Sequence, residues 1–156
     1  MKTQVKYRSN NLEKVKEEWI AYLEDMNWDF FVTGTTRYNL TLKSCRRLVE
    51  RFFNMIKYPG DIIFWVAEPF ELRDSHHFHG LLKHPTETRA EYMRLINMFQ
   101  KATGTRRLNI DGRGFDWDKE NWNALDLHKY DSKRGAGGYI CKYLMKTETD
   151  YDLLIH

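Results

Sequence analysis

Hydrophobic residues along the chain recur at two different spacings, and each spacing predicts one type of element. Steps of three and four residues predict amphipathic helices over 10–26 and 42–56. A third helix is expected over 88–102, where Thr88 and Glu91 form a capping box ahead of the apolar positions. Because charged residues lie between the apolar ones, each helix is expected to pack one side against a core.

Strands are predicted where aromatic and β-branched residues cluster, or where apolar and polar residues alternate. The predicted strands cover residues 28–36, 61–68, 76–84 and 124–130, with a weaker one near 106–110 inside a long loop from 104 to 123. A glycine-rich segment then leads into a final helix over 137–146.

Without the first helix, these elements follow the order strand, helix, strand, strand, helix, strand, which is the split βαβ order. We therefore expect an α+β protein with a ferredoxin-like or RRM-like (βαββαβ) central antiparallel sheet. The helices should lie mainly on one face of the sheet, with the N-terminal helix as an extra element. The other face should stay free, and a ligand is expected to lie on it.

Composition indicates a folded protein. Of its 156 residues, 42% are hydrophobic and 15% aromatic, which excludes a largely disordered chain. We expect one domain over 1–156, with 1–27 as its N-terminal helical extension. Cys45 and Cys141 fall in helical patterns without paired spacing, so both are expected to be buried thiols in a reducing compartment. No apolar run reaches membrane-spanning length, and a cytoplasmic protein with no membrane partner is expected.

Basic residues are segregated from acidic ones, although the formal net charge is only +3. Such segregation favours a positive surface for phosphate backbones, while solvated helix faces give the same pattern. The residues expected to contact nucleic acid are Arg37, Lys43, Arg46, Arg47, Arg106, Arg107, Lys133 and Arg134.

The final predicted helix contains the pattern Tyr-x-x-Lys twice in succession. Helical geometry, at about 100° per residue, places both copies on one side, namely Tyr139, Lys142, Tyr143 and Lys146. The opposite, apolar side, which carries Cys141, is expected to be the buried one. Two phenols beside two ammonium groups suit an anionic ligand, although the outer face of an ordinary amphipathic helix has the same composition.

Two histidines on the predicted hairpin suggest a metal site. His77 and His79 are two residues apart on a strand, so their imidazoles point to the same face. The hairpin can return Glu68 to a position across from them. One carboxylate and two imidazoles leave coordination positions open on a divalent ion such as Mn²⁺ or Mg²⁺, which can polarise a phosphoryl oxygen. Zinc stays open on ligand type, and a His-x-His pair alone is more often structural.

These features occur in one order along the chain: residues 31–36 (Phe-Val-Thr-Gly-Thr-Thr), Glu68, His77-Phe78-His79, and the doubled tyrosine motif at 139–146. The combination resembles the HUH endonuclease superfamily, specifically rolling-circle replication initiators (Rep proteins) of the two-tyrosine type. The resemblance covers residues 28–146, and Gly34 and Thr35 form a loose version of the first motif.

The resemblance implies that Tyr139 or Tyr143 attacks a phosphodiester of single-stranded DNA at a replication origin, giving a 5′-phosphotyrosine and a free 3′-hydroxyl. The other tyrosine would then release the first linkage. Lys142 and Lys146 would contact phosphate or favour the phenolate. The implied ligands of Mn²⁺ or Mg²⁺ are Glu68, His77 and His79.

The same resemblance implies a plasmid or phage protein in the cytoplasm of a bacterial host cell. The sequence has no Walker-type glycine loop, so we expect either a host helicase as partner or a nuclease domain of a longer protein. A monomer is favoured. Two alternatives remain: an HUH-type tyrosine transposase, which normally uses one tyrosine, and a non-catalytic ferredoxin-like domain that binds single-stranded nucleic acid.

Overall fold

A computed structural model describes residues 2–104, 123–146 and 149–156, with side chains from residue 13 onward. In chain order the elements are α1 (Lys2–Glu24), β1 (Phe30–Thr35), α2 (Leu42–Ile56), β2 (Ile62–Pro69), β3 (His76–Lys83), α3 (Arg89–Ala102), β4 (Ala124–Lys129), α4 (Gly135–Leu144) and β5 (Tyr151–Ile155). The strand predicted near 106–110 lies outside the described residues. None of the described helices is both long and apolar enough to span a membrane.

The five described strands form one antiparallel sheet in the order β4-β1-β3-β2-β5. Strand β3 lies between β1 and β2, so α2 connects two strands that are separated by a third, as in a ferredoxin-like sheet. The predicted α+β fold is confirmed. Strand β5 was not predicted, and it extends the sheet by pairing with β2 from Ile62, opposite Ile155, to Val66, opposite Tyr151.

Helix α2 supplies much of the core on one face of the sheet. It begins after Thr41, whose Oγ1 accepts a hydrogen bond from the Ser44 backbone N–H at 3.1 Å. Its buried residues recur at helical spacing, namely Cys45, Leu48, Val49, Phe52, Phe53 and Ile56. They pack together with α3 on apolar side chains of the sheet that include Val32 and Trp65. This face is therefore closed by an apolar core.

The second face of the sheet is covered by α1 and α4, so the expectation of a free face is wrong. Leu23 of α1 and Ile140 of α4 are fully buried against Phe64, Val66 and Leu81 of the sheet. The physical reason lies in β2, where successive residues from Ile63 to Ala67 are all buried. Since successive side chains of a strand point to opposite faces, a continuous apolar run requires cover on both.

Candidate metal centre beside two tyrosines

The β2–β3 hairpin brings the three predicted metal ligands together. The register sets Glu68 directly opposite His77, and His79 follows two residues later on the same face. The Glu68 Oε2 atom lies 2.8 Å from Nε2 of His79 and 3.0 Å from Nε2 of His77. Two imidazoles therefore converge on one carboxylate oxygen.

Strand β1 holds the second histidine in place. Thr33 Oγ1 lies 3.1 Å from His79 Nδ1, so the hydroxyl can fix the ring while Nε2 faces Glu68. Gly34 faces Phe78, the residue between the two histidines, and a Cβ added to Gly34 would overlap the Phe78 ring. The glycine thus lets that ring enter the core on the other face, which directs both imidazoles toward Glu68.

Burial keeps the imidazoles neutral. It lowers the pKa of His79 to about 4 and the pKa of His77 below its usual value, although the Glu68 carboxylate opposes both shifts. Burial raises the pKa of Glu68, but hydrogen bonds from Lys146 and His79 outweigh it, and the pKa lies below its ordinary value. At neutral pH the cluster is thus an ionised carboxylate beside two uncharged imidazoles.

This donor set fits a divalent cation. One ligand atom from each of Glu68, His77 and His79 lies within 4.8 Å of the others. The Nδ1 atom of His77 is buried and has no hydrogen-bond partner among the residues that the structure describes. Both Nε2 atoms face the same oxygen of the Glu68 carboxylate. Neutral imidazole nitrogens and a carboxylate are the forms that bind metal, and three protein ligands leave coordination positions for a substrate.

Helix α4 turns its two tyrosines toward the sheet, so the prediction that they lie on its outer face is wrong. Tyr139 is 7% exposed and Tyr143 is 9% exposed, whereas Cys141 is exposed rather than buried. The buried stripe of the helix runs from the tyrosines to Ile140 and Leu144. Aromatic rings can fill the space over the polar cluster, and the hydroxyl of Tyr139 still finds a polar partner there.

The two tyrosines have different neighbours. The Tyr143 ring stacks on the His79 imidazole, with centroids 3.8 Å apart and planes 12° apart. Tyr139 lies one ring further from His79, because the Phe31 ring stands between them. Phe31 stacks on Tyr139 with ring centroids 5.0 Å apart and on His79 with centroids 5.9 Å apart. The Tyr139 hydroxyl accepts a hydrogen bond from the Asp131 backbone N–H at 3.0 Å. None of the described residues hydrogen-bonds the Tyr143 hydroxyl.

Both predicted catalytic lysines lie beside Tyr143. The Lys142 ammonium is 4.7 Å from the Tyr143 ring centroid, and the Lys146 ammonium is 5.9 Å from it. Lys146 also donates a hydrogen bond to the second carboxylate oxygen of Glu68, Oε1. One ammonium group therefore lies between the candidate metal-binding carboxylate and the Tyr143 ring.

The structure does not bring the predicted DNA-binding residues of α2 to this cluster. Lys43, Arg46 and Arg47 lie on a helix that packs against the opposite face of the sheet. Arg46 bonds to Asp150 at 2.7 Å and to Asp152 at 2.8 Å, and these contacts raise its pKa further. Arg46 thus anchors the segment around β5. A DNA contact by Lys43 or Arg47, both exposed, stays a prediction.

Of the remaining basic candidates, Arg134 lies closest to the site. Its guanidinium carbon is 4.3 Å from the Tyr139 ring centroid, while its neighbour Lys133 is exposed at the start of α4. Arg37 is exposed just after β1, and its backbone N–H donates to Asn123 Oδ1 at 2.9 Å. The remaining two candidates, Arg106 and Arg107, lie outside the described residues.

Sequence reasoning missed two polar contacts that the fold creates. Lys16 of α1 is 4% exposed and donates a hydrogen bond to the Lys146 carbonyl at 2.8 Å. His84 is fully buried, and its Nδ1 atom lies 2.8 Å from Asp61 Oδ2. In both contacts the partner is distant in sequence, so no local pattern indicates it.

No protein-family model matches the chain, and no match was found among curated proteins or solved structures. A function must therefore follow from the chemistry of the described residues.

Proposed function

We propose that this protein cleaves and rejoins single-stranded DNA through a covalent tyrosine intermediate, with a divalent metal ion as cofactor. The observation that carries the proposal is the stacking of Tyr143 on His79 at 3.8 Å, because it joins a nucleophile to the metal-binding cluster. The two flanking ammonium groups, from Lys142 and Lys146, add positive charge where a phosphate would lie. The resemblance to two-tyrosine HUH nucleases is consistent with this chemistry.

Glu68, His77 and His79 would hold the ion, which would polarise a phosphoryl oxygen of the DNA when bound. Two imidazoles favour Mn²⁺ over Mg²⁺, since Mg²⁺ prefers oxygen ligands and keeps its water shell.

Tyr143 is assigned the first attack. A bond forms between its phenolic oxygen and phosphorus, and the bond from phosphorus to the 3′ oxygen breaks. The phenolic proton passes to water and the leaving 3′ oxygen takes up a proton, which gives a free 3′-hydroxyl and a 5′-phosphotyrosine. Lys142 and Lys146 orient the phosphate by charge-assisted hydrogen bonds.

Tyr139 is assigned the second attack. Its hydroxyl is held by the Asp131 backbone N–H, and Phe31 separates its ring from the metal cluster, so it is a poorer nucleophile at the first step. After the first linkage forms on Tyr143, the oxygen of Tyr139 can attack a second phosphodiester. The new 3′-hydroxyl then reseals the strand by displacing Tyr143. The number of phosphodiester bonds is conserved, and no nucleotide cofactor is needed.

In a cell, this activity would initiate rolling-circle replication of a plasmid or phage at a single-stranded origin in the bacterial cytoplasm. The sequence has no Walker-type glycine loop, so the duplex would be opened by a helicase of the host or by a further part of a longer protein.

The experiment uses randomised single-stranded DNA oligonucleotides with Mn²⁺, and a denaturing gel detects protein bound covalently to DNA. A label at the 3′ end should migrate with the protein and a label at the 5′ end should not. Tyr143→Phe should lower first-adduct formation by more than about 100-fold, because it removes the attacking oxygen. Tyr139→Phe should form the adduct but fail to cleave a second phosphodiester, so no strand with a new junction should appear, and the double variant should form no adduct.

The outcomes separate the alternatives. An adduct on the double variant would show that neither tyrosine is the nucleophile. DNA binding without an adduct in any variant would leave a single-stranded nucleic-acid-binding protein. If Tyr139→Phe loses the first adduct and Tyr143→Phe keeps it, the order of attack is reversed while the nuclease function stands.

A further inference from the structure

Lys146 occupies an unusual place for a lysine near a metal site. Its ammonium bonds to Glu68 Oε1, while the other oxygen of the same carboxylate, Oε2, receives both imidazoles. The only negatively charged group among the three candidate ligands, the Glu68 carboxylate, is thus already paired with a cation of the protein. The Lys146 side chain is 46% exposed and that of Glu68 is 17% exposed, so the lysine can leave into solvent and the carboxylate cannot.

From this geometry we infer that Lys146 is a built-in counter-cation, which competes with the divalent ion for Glu68 and is released when the ion binds. The inference rests on the proposed metal-dependent function, and it adds a regulatory role for a residue of the same site. It also adds an order of events, because binding of the ion frees a positive charge beside Tyr143.

The competition follows from electrostatics. A carboxylate with a hydrogen-bonded ammonium has little net charge to offer a second cation, and an ammonium that remains nearby repels that cation. The imidazoles are uncharged and add no negative charge of their own. The divalent ion must therefore break the bond between Lys146 and Glu68 before it gains the full charge of the carboxylate.

The released ammonium has a defined neighbourhood. The Lys146 backbone carbonyl accepts hydrogen bonds from Lys16 at 2.8 Å and from Thr149 at 2.7 Å. The released side chain therefore stays close to the Tyr143 ring, whose centroid is 5.9 Å from the ammonium. A DNA phosphate bound beside that ring would accept a hydrogen bond from the released Lys146 ammonium. The ion and the DNA should consequently strengthen each other's binding by the same factor.

The test measures Mn²⁺ affinity without DNA, by electron paramagnetic resonance of free Mn²⁺ at pH 7.5 and low salt. Lys146→Met removes the competing charge and should bind Mn²⁺ about tenfold more tightly, as expected for a charge-assisted hydrogen bond. Lys146→Arg keeps a cation on Glu68 and should stay close to the wild type. Lys142→Met removes a neighbouring positive charge that has no contact with Glu68, so at low salt it should raise the affinity by a smaller factor than Lys146→Met does.

Each other result overturns the inference in a recognisable way. Equal Mn²⁺ affinity in the wild type and Lys146→Met means that no competition exists, although the metal site is intact. Weaker binding by Lys146→Met means that Lys146 supports the ion. An equal gain in Lys142→Met indicates a general effect of charge. If neither the wild type nor Lys146→Met binds Mn²⁺, the proposed metal site itself fails.

The second half of the inference has its own measurement. The double variant Tyr139→Phe, Tyr143→Phe cannot cleave DNA or form a covalent adduct with it. Its affinity for a single-stranded oligonucleotide can therefore be measured with and without Mn²⁺. Mn²⁺ should raise the affinity for DNA. When Lys146→Met is added to the double variant, most of this Mn²⁺-dependent increase in DNA affinity should be lost. An unchanged gain would show that the released ammonium does not pass to DNA.

Discussion

The two faces of the sheet use the same strands for different purposes. On the face covered by α2 and α3, side chains such as Trp65 and Phe78 enter an apolar core that includes Phe52 and Phe99. On the face covered by α1 and α4, the apolar cluster ends at Glu68, whose neighbours are the histidines and the tyrosines. Alternation along a strand thus lets one face carry an apolar core while the other also carries the candidate metal site.

The largest expected loss of activity comes from a change on the face covered by α1 and α4. His79→Ala removes an imidazole from the metal cluster, so we expect adduct formation with Mn²⁺ to fall by more than about 100-fold. The circular dichroism spectrum should match that of the wild type, because the core on the other face is untouched. His128→Ala is the matched control, since this histidine is exposed on β4. Chelation of metal by EDTA should give the same loss in the wild type, and full activity in EDTA would contradict the metal site.

The next effect lies on the apolar face. Phe52→Ala leaves a cavity at a fully buried site beside Phe99, and we expect the free energy of unfolding in urea to fall by about 3–5 kcal/mol. Mn²⁺ affinity at a temperature where the variant is folded should be unchanged. Leu72→Ala is the control, because that side chain is 99% exposed. A large change in Mn²⁺ affinity for Phe52→Ala would show that the two faces are not independent.

The smallest effect distinguishes the two thiols. Cys45 is fully buried in the α2 core, and burial raises its pKa to about 12, whereas Cys141 is exposed on α4. The thiolate is the reactive form, so at pH 8 a disulfide reagent should modify Cys141 quickly and Cys45 only when the protein unfolds. Cys141→Ser should remove the fast reaction. A fast reaction that persists in Cys141→Ser would show that the α2 core opens.

The convergence of the three candidate metal ligands was predictable because strand geometry is strict. Residues two apart on a strand must share a face, and a hairpin must return the chain antiparallel, which places Glu68 against His77 and His79. The composition of the chain also predicted the first four strands of the sheet. Each of these inferences uses only local spacing, and local spacing is fixed by the backbone.

The orientation of the helices could not be predicted in the same way. Val15 stands at an apolar position of the three- and four-residue spacing in the first helix, but it is 43% exposed. The adjacent Lys16 is buried instead, because its ammonium reaches the Lys146 carbonyl. The two tyrosines point inward for a similar reason, since the sheet offers His79 and Phe31 as stacking partners. The surface that a helix meets decides its rotation, and that surface comes from distant parts of the sequence.

The hydrogen bond from Lys16 to the end of α4 sets a lower limit on the size of a working protein. A fragment beginning at β1 would keep every proposed ligand and both tyrosines. It would lose the side chain that satisfies the last turn of α4, and it would uncover Ile140, which is now fully buried. Any shortened version of this chain must therefore retain the first helix, which packs against the helix that carries both tyrosines.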